Sequence, residues 1–286
     1  MQPPTNTAVK KHLYTLDREG RKSYDLERRL GNIEGMAAPI LARWHTVGAT
    51  TTLEERSKIS IFLASMHGRV PRAIESTKEV AFEIFMEDLR RLAADPSKIE
   101  DAWQRYLNAL GERPPTLTFS EFETYLHDPL LPTRVHVNEK YALAMSIATC
   151  VATAPLFLSL NWSLRDAPQD SFFVTSDTPV NVFVRLPQGK AVFGGLEHPG
   201  VEIAFPLSPS LCLFLKRSPR LERSIVTQGF VREINRRMAA MAERFLISHV
   251  NSQPICDLVN EFAFTIARPR VNAAGLRELR KDIEDD

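Results

Sequence analysis

The sequence lacks an excess of charge of either sign. Its 36 lysine and arginine residues nearly balance its 35 aspartate and glutamate residues, and the formal net charge is +1. Nucleic acids and anionic membranes attract proteins that carry an excess of positive charge. The composition therefore gives no strong nucleic-acid signal, and we expect no membrane partner.

Cysteine is also scarce. The three cysteines, Cys150, Cys212 and Cys256, lie far apart in apolar surroundings. An odd number of cysteines without close spacing argues against both a disulfide framework and a zinc site. The first six residues lack the basic region and apolar core of a secretory signal. We therefore expect a cytoplasmic protein with reduced thiols.

The motifs of several common enzyme classes are missing. The chain has no glycine-rich phosphate loop, no dinucleotide fingerprint, no His-Glu-x-x-His and no Gly-x-Ser-x-Gly. It also has no Glu-x-Lys pair, which the common metal-dependent nuclease core requires. We expect neither a cofactor nor a metal ion.

Apolar residues recur at spacings of three and four through the first half of the chain, which predicts amphipathic helices. Thr52 and Glu55 form a capping-box pattern at the start of one of these helices. Pro71 is placed to begin the next helix, and Asp95-Pro96 to end it.

The second half is richer in short apolar runs that glycine and proline separate, which predicts antiparallel strands. We predict strands over residues 172–175, 180–186, 201–205 and 211–215, with a break at Pro206, and one further helix from Phe230 to Arg244. The predicted class is α+β, in which a helical N-terminal half packs on a mixed, mainly antiparallel sheet with an extra helix in the C-terminal half.

The predicted division has four parts. Residues 1–22 form an N-terminal extension, 23–165 a helical subdomain, 166–267 a strand-rich subdomain in one compact unit with the helical part, and 268–286 a charged C-terminal tail.

A run without charge extends from Tyr141 to Leu164, which is long enough to span a membrane. However, its many small and polar residues and the internal Pro155 favour a helix in the centre of a soluble protein. We therefore expect Lys140 to Leu160 to form a helix with neighbours on all sides.

Two groups of polar residues allow a structural and a functional interpretation. Asp177, next to Ser176 at the end of a predicted strand, either ends that strand through an Asx turn or faces a cleft as a base or cation ligand. Arg69, between two apolar helices, either pairs with a carboxylate and helix-end carbonyls or receives an anionic ligand.

Five segments of the chain resemble a bacterial family that is catalogued as domain of unknown function number 4238. They are Leu26 to Pro39, Arg69-Val70-Pro71, Phe173 to Pro179, Phe205 to Pro209, and Asn235 ahead of Ala242 to Phe245. The resemblance covers about Lys11 to Val259 and implies no substrate, cofactor or reaction. Family members usually open with a His-Tyr-Val-Pro segment that this chain lacks, so we expect the DNA upstream of Met1 to encode such a segment or its remnants.

Two functions remain open. The first is a non-catalytic binding or regulatory module for an unknown small molecule or protein, in which these polar residues fix the helices on the sheet. The alternative is a hydrolase-type enzyme with a cleft between the helical and strand-rich halves.

The candidate catalytic residues of that hydrolase are Asp177 and Glu34, and the candidate ligand-binding residues are Arg69, Asn235 and Ser176. A shared cleft predicts that the charged groups of Arg69 and Asp177 lie on the order of 10 Å apart or less.

Overall fold

The computed structural model describes residues 14–18, 21–128, 130–131, 135–187, 189–217 and 223–262. The predicted tail, 268–286, and most of the predicted extension, 1–22, lie outside these residues. Helices and a six-stranded sheet both occur, which confirms the α+β class. The helices are α1 (Asp25–Trp44), α2 (Leu53–Gly68), α3 (Pro71–Ala93), α4 (Pro96–Leu110), α5 (Phe119–Leu126), α6 (Glu139–Ala152), α7 (Ala154–Leu158), α8 (Gln228–Met241) and α9 (Gln253–Phe262).

Local signals in the sequence place the starts of several helices. Thr52 caps α2, because its hydroxyl accepts the Glu55 N–H at 3.2 Å while the Glu55 carboxylate accepts the Thr52 N–H at 2.9 Å. Pro71 begins α3 and Pro96 begins α4, where the missing N–H of proline leaves no helical hydrogen bond unmade. The predicted capping box, the predicted start at Pro71 and the predicted helix break at Asp95-Pro96 are confirmed.

The strands form one large sheet and two small ones. The six-stranded sheet has the order β6-β5-β7-β8-β3-β9, and its pairs are antiparallel except for the parallel pair of β3 and β9. The pairs β1–β2 and β4–β10 form separate two-stranded sheets. The bounds are β1 (Leu16–Arg18), β2 (Arg21–Ser23), β3 (Asn161–Asp166), β4 (Thr175–Ser176), β5 (Asn181–Arg185), β6 (Ala191–Phe193), β7 (Val201–Ser208), β8 (Leu211–Lys216), β9 (Ser224–Ile225) and β10 (Leu246–Ile247).

The prediction that a strand breaks at Pro206 is wrong. Strand β7 continues through Pro206 to Ser208, and its pairing with β8 shifts by one residue between these two positions. A bulge accommodates the missing N–H of a proline inside a sheet. The strand is therefore longer than its apolar run indicated.

The sheet buries both of its faces. On one face, Trp162 of β3 packs edge-on against Trp44 of α1, with 6.3 Å between the ring centres. Phe205 of β7 packs in the same way against Phe62 of α2, with 6.0 Å between the ring centres. These residues belong to a first core that α1, α2, α7 and the sheet share. On the other face, a second core joins Phe214 of β8 to the apolar side of α8.

The uncharged run forms two helices and a strand. The break lies at Thr153, because Pro155 lacks an N–H and its ring clashes with a carbonyl of the preceding turn. Tyr141 is 56% exposed and Met145 is 42% exposed, so the prediction of burial on all sides is wrong. Within the described residues, one stretch, 139–158, is long and apolar enough to cross a membrane. Core helices of soluble proteins meet the same criteria of length and composition.

Gly68 allows α2 to approach α6 closely. The hydroxyl of Ser146 in α6 donates to the carbonyl of Gly68 at the end of α2, at 2.7 Å. A Cβ atom on Gly68 would lie 2.6 Å from Cβ of Cys150. Glycine is therefore required where α2 meets α6.

The described residues group into two compact units. The first combines the residues up to Ile74 with those from Leu143 onward, so it contains α1, α2, the six-stranded sheet and α8. In this unit the first two helices share a core with the strands. The second unit extends from Glu75 to Ala142. In this unit the ring centre of Trp103 in α4 lies 5.6 Å from that of Phe122 in α5.

Candidate functional site

Arg69 and Glu34 form an ion pair. Arg69 is the C-cap of α2, and its Nη1 donates to Oε1 of Glu34 in α1 at 2.5 Å. Burial raises the pKa of the neighbouring Tyr14. The charge of Arg69 lowers this pKa and the charge of Glu34 raises it, and the net result is a raised pKa. The pair joins the end of α2 to the middle of α1, so the charge of Arg69 has a partner within the protein.

Asp177 makes long-range contacts with the backbone. Its two carboxylate oxygens accept the N–H groups of Glu243 at 2.9 Å and Arg244 at 2.8 Å, directly after the end of α8. Its own N–H donates to the carbonyl of Phe245 at 3.1 Å. The local turn is instead closed by Ser176, whose hydroxyl accepts the Thr178 N–H at 3.1 Å. Asp177 therefore fixes the turn between α8 and β10.

The side chain of Asn235 in α8 makes hydrogen bonds with the backbone of the segment that the sequence predicted as a strand over 172–175. Its side-chain oxygen accepts the Val174 N–H at 3.0 Å, and its side-chain nitrogen donates to the Phe172 carbonyl at 2.8 Å. The backbone here satisfies its hydrogen bonds with a side chain, and β4 begins only at Thr175. The predicted strand is wrong over 172–174 for this reason.

The five candidate residues fall into two groups. Glu34 pairs with Arg69. Asn235 and Asp177 connect residues 172–177 to α8 and to the turn that follows it, and Ser176 closes a turn next to them. The side chains of these five residues do not line any of the three cavities described below. The distance proposed between Arg69 and Asp177 stays a prediction.

A cavity of about 480 Å³ lies where the β5–β6 hairpin meets α8 and α9. Aromatic and cationic side chains make up much of its lining, which consists of Phe183, Gly189, Lys190, Ala191, Val192, Phe193, Glu233, Arg236, Arg237, Ala240 and Phe262. Two smaller cavities have volumes of about 140 Å³ and 220 Å³.

Arg237 is the most deeply buried cation of this cavity, since the residue is 4% exposed. Its Nη2 donates to Glu202 at 2.8 Å and its Nε to Glu233 at 3.1 Å, and its guanidinium lies 5.2 Å from the ring centre of Phe183. Nη1 has no hydrogen-bond partner within the described part of the chain. Buried polar groups are nearly always hydrogen-bonded, so this nitrogen is an unusual feature.

Glu202 anchors two arginines beside the cavity. It accepts hydrogen bonds from Arg237 and from Nε and Nη2 of Arg185, at 2.8 Å and 3.0 Å. Burial raises the pKa of Glu202, but the hydrogen bonds from both arginines lower it by more, so it stays below its usual value. The carboxylate is therefore ionised and holds Arg237 in place.

The rim of the cavity carries further cations and two phenyl rings. Arg236 pairs with Glu261 of α9 and lies 5.9 Å from the ring centre of Phe262. Arg72 lies 5.1 Å from the ring centre of Phe193. The ammonium group of Lys190 makes no ion pair with the residues that the structure describes. The lining therefore carries more positive charge than its carboxylates neutralise.

We did not predict these cavity residues from the sequence. Two local signals mark them: Arg237 lies three residues after Ile234 on the apolar side of a helix, and Glu202 interrupts the apolar strand between Val201 and Ile203. A charge inside an apolar stripe indicates a buried ion pair or a ligand. The meeting of these charges with Phe193 depends on tertiary structure.

The described residues provide no cluster of metal ligands, and burial raises the pKa of two of the three thiols. The described residues contain no group of three or more histidine, cysteine, aspartate or glutamate side chains that could hold a metal ion. All three cysteines are free thiols, and burial raises the pKa of Cys150 to about 11 and that of Cys212 to about 12. A thiol with such a pKa is a poor nucleophile at neutral pH.

The sequence matches the model of one known protein family. A model of the family described as "Protein of unknown function (DUF4238)" matches residues 1–252, which is most of the sequence. The chain belongs to the DUF4238 family. No curated protein and no solved structure matches it. The resemblance seen in the five sequence segments is thereby confirmed, and the cavity of this DUF4238 chain has to be interpreted from its own residues.

Proposed function

We propose that this DUF4238 chain is a non-catalytic binding module that takes a small anionic molecule in the cavity at Arg237. The observation that carries the proposal is the buried Nη1 group of Arg237, which lacks a hydrogen-bond partner among the described residues and belongs to a side chain that lines the cavity. A buried donor without a partner costs about 1–3 kcal/mol. A bound acceptor would remove that cost.

The size and charge of the cavity support an anionic ligand. Its volume of about 480 Å³ falls within the range of small-molecule sites. Lys190 adds an ammonium group that no described carboxylate neutralises, on the same cavity as Arg237. A carboxylate or phosphate group would accept hydrogen bonds from both cations.

The rest of the ligand would face apolar groups. The rings of Phe193 and Phe262 line the same cavity as the cations. Phenyl rings favour flat apolar groups by offset or edge-on stacking. The ligand class that fits both parts is therefore an anion that carries an aromatic or other apolar group.

The lining favours binding over hydrolysis. It contains no serine, threonine, cysteine or histidine among its described residues, and the carboxylate of Glu233 is held by Arg237. The alternative hydrolase would use Asp177 as its base, but both Asp177 oxygens accept backbone N–H groups. We retain a cytoplasmic location as part of the proposal, since free cysteines suit a reducing compartment.

The test measures the melting temperature of the protein with phenyl phosphate, benzoate and the neutral benzyl alcohol. Ligands that bind the folded state raise its stability with concentration. We expect both anions to raise the melting temperature and benzyl alcohol to have a much smaller effect. Equal stabilisation by benzyl alcohol, or no response to either anion, would contradict the proposal.

Lys190→Met provides the matching variant. Lys190 is exposed, so its loss should leave the fold intact, whereas loss of Arg237 would leave Glu202 without one of its partners. We expect Lys190→Met to weaken the binding of phenyl phosphate about tenfold, the factor that corresponds to about 1.4 kcal/mol. The control is Lys22→Met, which makes the same charge change at an exposed position of strand β2. An equal loss of affinity in both variants would indicate a general charge effect instead of a site.

A further inference from the structure

Two cations of the cavity come from elements of different rigidity. Arg237 lies in α8 and is buried, whereas Lys190 lies in the turn between β5 and β6 and is exposed. A lysine side chain is flexible, and fixing it on a ligand costs side-chain entropy. The contribution of Lys190 to binding therefore depends on how firmly its turn is held.

The backbone closes this turn with two hydrogen bonds. The Leu186 N–H donates to the Lys190 carbonyl at 2.9 Å, and the Gly189 N–H donates to the Leu186 carbonyl at 2.8 Å. Gly189 has a φ of 81°, a left-handed conformation that glycine adopts without strain. Water competes for hydrogen bonds at exposed positions, so two of them stabilise the turn only modestly.

The side chain of Arg185 adds further contacts to the turn. Its Nη1 donates to the Gly189 carbonyl at 2.8 Å, while its Nε and Nη2 donate to the two carboxylate oxygens of Glu202 at 2.8 Å and 3.0 Å. A guanidinium group is planar, so these donors keep a fixed arrangement. Arg185 therefore fixes the turn relative to Glu202.

Glu202 connects this arrangement to Arg237. The carboxylate oxygen that accepts from Nη2 of Arg185, Oε2, also accepts from Nη2 of Arg237 at 2.8 Å. One chain of hydrogen bonds thus leads from the turn that carries Lys190, through Arg185 and Glu202, to the buried cation. Arg185 is not among the described residues that line the cavity.

We propose that Arg185 is a positioning residue of the anion site, which holds the turn so that the ammonium group of Lys190 stays at the cavity where Arg237 lies. This inference rests on the proposed function for the identity of the ligand. Arg185 acts through the turn and makes no contact with the anion. The two cations then meet one anionic group without the loss of entropy that a free turn would impose.

The variant Arg185→Lys tests the proposal because it keeps the charge. A lysine at this position can pair with Glu202, but its single ammonium group cannot also reach from both carboxylate oxygens to the Gly189 carbonyl. We expect this variant to weaken the binding of phenyl phosphate about fivefold by calorimetry, which corresponds to about 1 kcal/mol. Wild-type affinity in Arg185→Lys would overturn the proposal.

Arg43→Lys is the matched control. Arg43 likewise donates to both carboxylate oxygens of Glu55 and to the carbonyl of Thr50, away from the cavity. Its side chain is 44% exposed and that of Arg185 is 40% exposed. This control should bind phenyl phosphate as the wild type does, and an equal loss in both variants would overturn the proposal.

A double-mutant cycle with Lys190→Met shows through which residue Arg185 acts. In a protein that already carries Lys190→Met, Arg185→Lys should cause a further loss of less than about twofold, because no ammonium group remains to be positioned. A further loss of about fivefold in this background would show that Arg185 acts through Glu202 and Arg237. That result would overturn the positioning of Lys190.

Hydrogen exchange of the Leu186 amide gives a readout that needs no ligand. Arg185→Lys should accelerate this exchange about tenfold, the factor for a loss of about 1.4 kcal/mol, since the turn loses one of its contacts. Unchanged exchange would overturn the positioning role and leave the proposed function standing. Failure of phenyl phosphate to bind the wild-type protein would instead contradict the proposed function, and the role of Arg185 in binding with it.

Discussion

Asp177 illustrates how one side chain can hold two distant parts of the chain. Its carboxylate accepts two backbone N–H groups that lie 66 and 67 residues further along the sequence. Those N–H groups follow the end of α8, where the chain has left the helix. The residue that looked like a candidate base is thus part of the framework around α8.

Asp177→Ala should therefore destabilise the protein. The change leaves two backbone N–H groups without their acceptor, and we expect a loss of about 1–3 kcal/mol in the free energy of unfolding, measured with urea. Asp177→Asn should lose less, because its amide oxygen still accepts one of the two hydrogen bonds. Asp170→Ala, an exposed aspartate in a turn, is the control. A stability equal to that of wild type would contradict the structural role.

Glu55 should make the stability of the protein depend on pH in the acid range. Burial raises the pKa of Glu55, but hydrogen bonds from Arg43 and Thr52 lower it by more, to about 2 from an ordinary 4.5. Because the folded state lowers this pKa, the stabilisation is present above the unfolded value of 4.5 and is lost as the pH falls towards 2.

The variant Glu55→Gln tests this contribution. Glutamine retains the capping box but not the charge that faces Arg43, so the variant should lose on the order of 1 kcal/mol at pH 7. The difference between wild type and variant should shrink as the pH falls below 4.5. Urea unfolding at a series of pH values measures it. A difference that stays constant down to pH 2 would show that the charge of Glu55 is not responsible.

At the scale of elements, the contact between α2 and α6 has little tolerance for added volume. Gly68→Ala would place a methyl group 2.6 Å from Cβ of Cys150 and 2.8 Å from the Ser146 carbonyl oxygen. We expect a loss of about 1–3 kcal/mol, because overpacking forces the helices apart. Gly35→Ala in α1 meets no atom within 4 Å and should raise stability by about 0.5–1 kcal/mol through helix propensity. Equal urea midpoints for the two variants would refute the close contact.

Elements were predictable where their signals were local. The Thr52 capping box and the Pro71 start lie within one turn of the helices that they begin, so the sequence alone located α2 and α3. Strand β3 was missed because it begins inside the uncharged run at Asn161, without a glycine or proline to mark the change from helix to strand. The extent of β7 was missed because the bulge at Pro206 depends on its pairing with β8.

The candidate site was less predictable than the fold, because its residues find their partners in distant parts of the sequence. Arg69 was chosen as a charge that needs a partner, and its partner Glu34 comes from another helix. Arg237 carries the proposed function, yet its value as a site depends on Glu202 and Phe183, which tertiary structure brings to it. A sequence shows which charges lie in apolar surroundings, and the fold decides which of them remain incompletely paired.

At the scale of the whole molecule, the three cysteines should differ in reactivity. Cys256 is exposed, Cys212 is buried, and burial keeps the pKa of both Cys150 and Cys212 far above neutral. Ellman's reagent at pH 7.5 should therefore modify Cys256 rapidly in the folded protein and all three thiols in urea. Rapid reaction of more than one thiol without urea would contradict the described burial.

The carboxylate that Arg185 and Arg237 share has a consequence for natural variation. Glu202 is the ion-pair partner of both arginines, and the same Arg185 side chain donates to the Gly189 carbonyl in the β5–β6 turn. Loss of the acid alone would remove one of the two carboxylates that pair with the buried Arg237, so selection should accept changes at positions 185, 202 and 237 mainly as a set. An alignment of DUF4238 sequences should therefore show these three columns co-varying, with an apolar residue at 202 accompanied by the absence of arginine at 237.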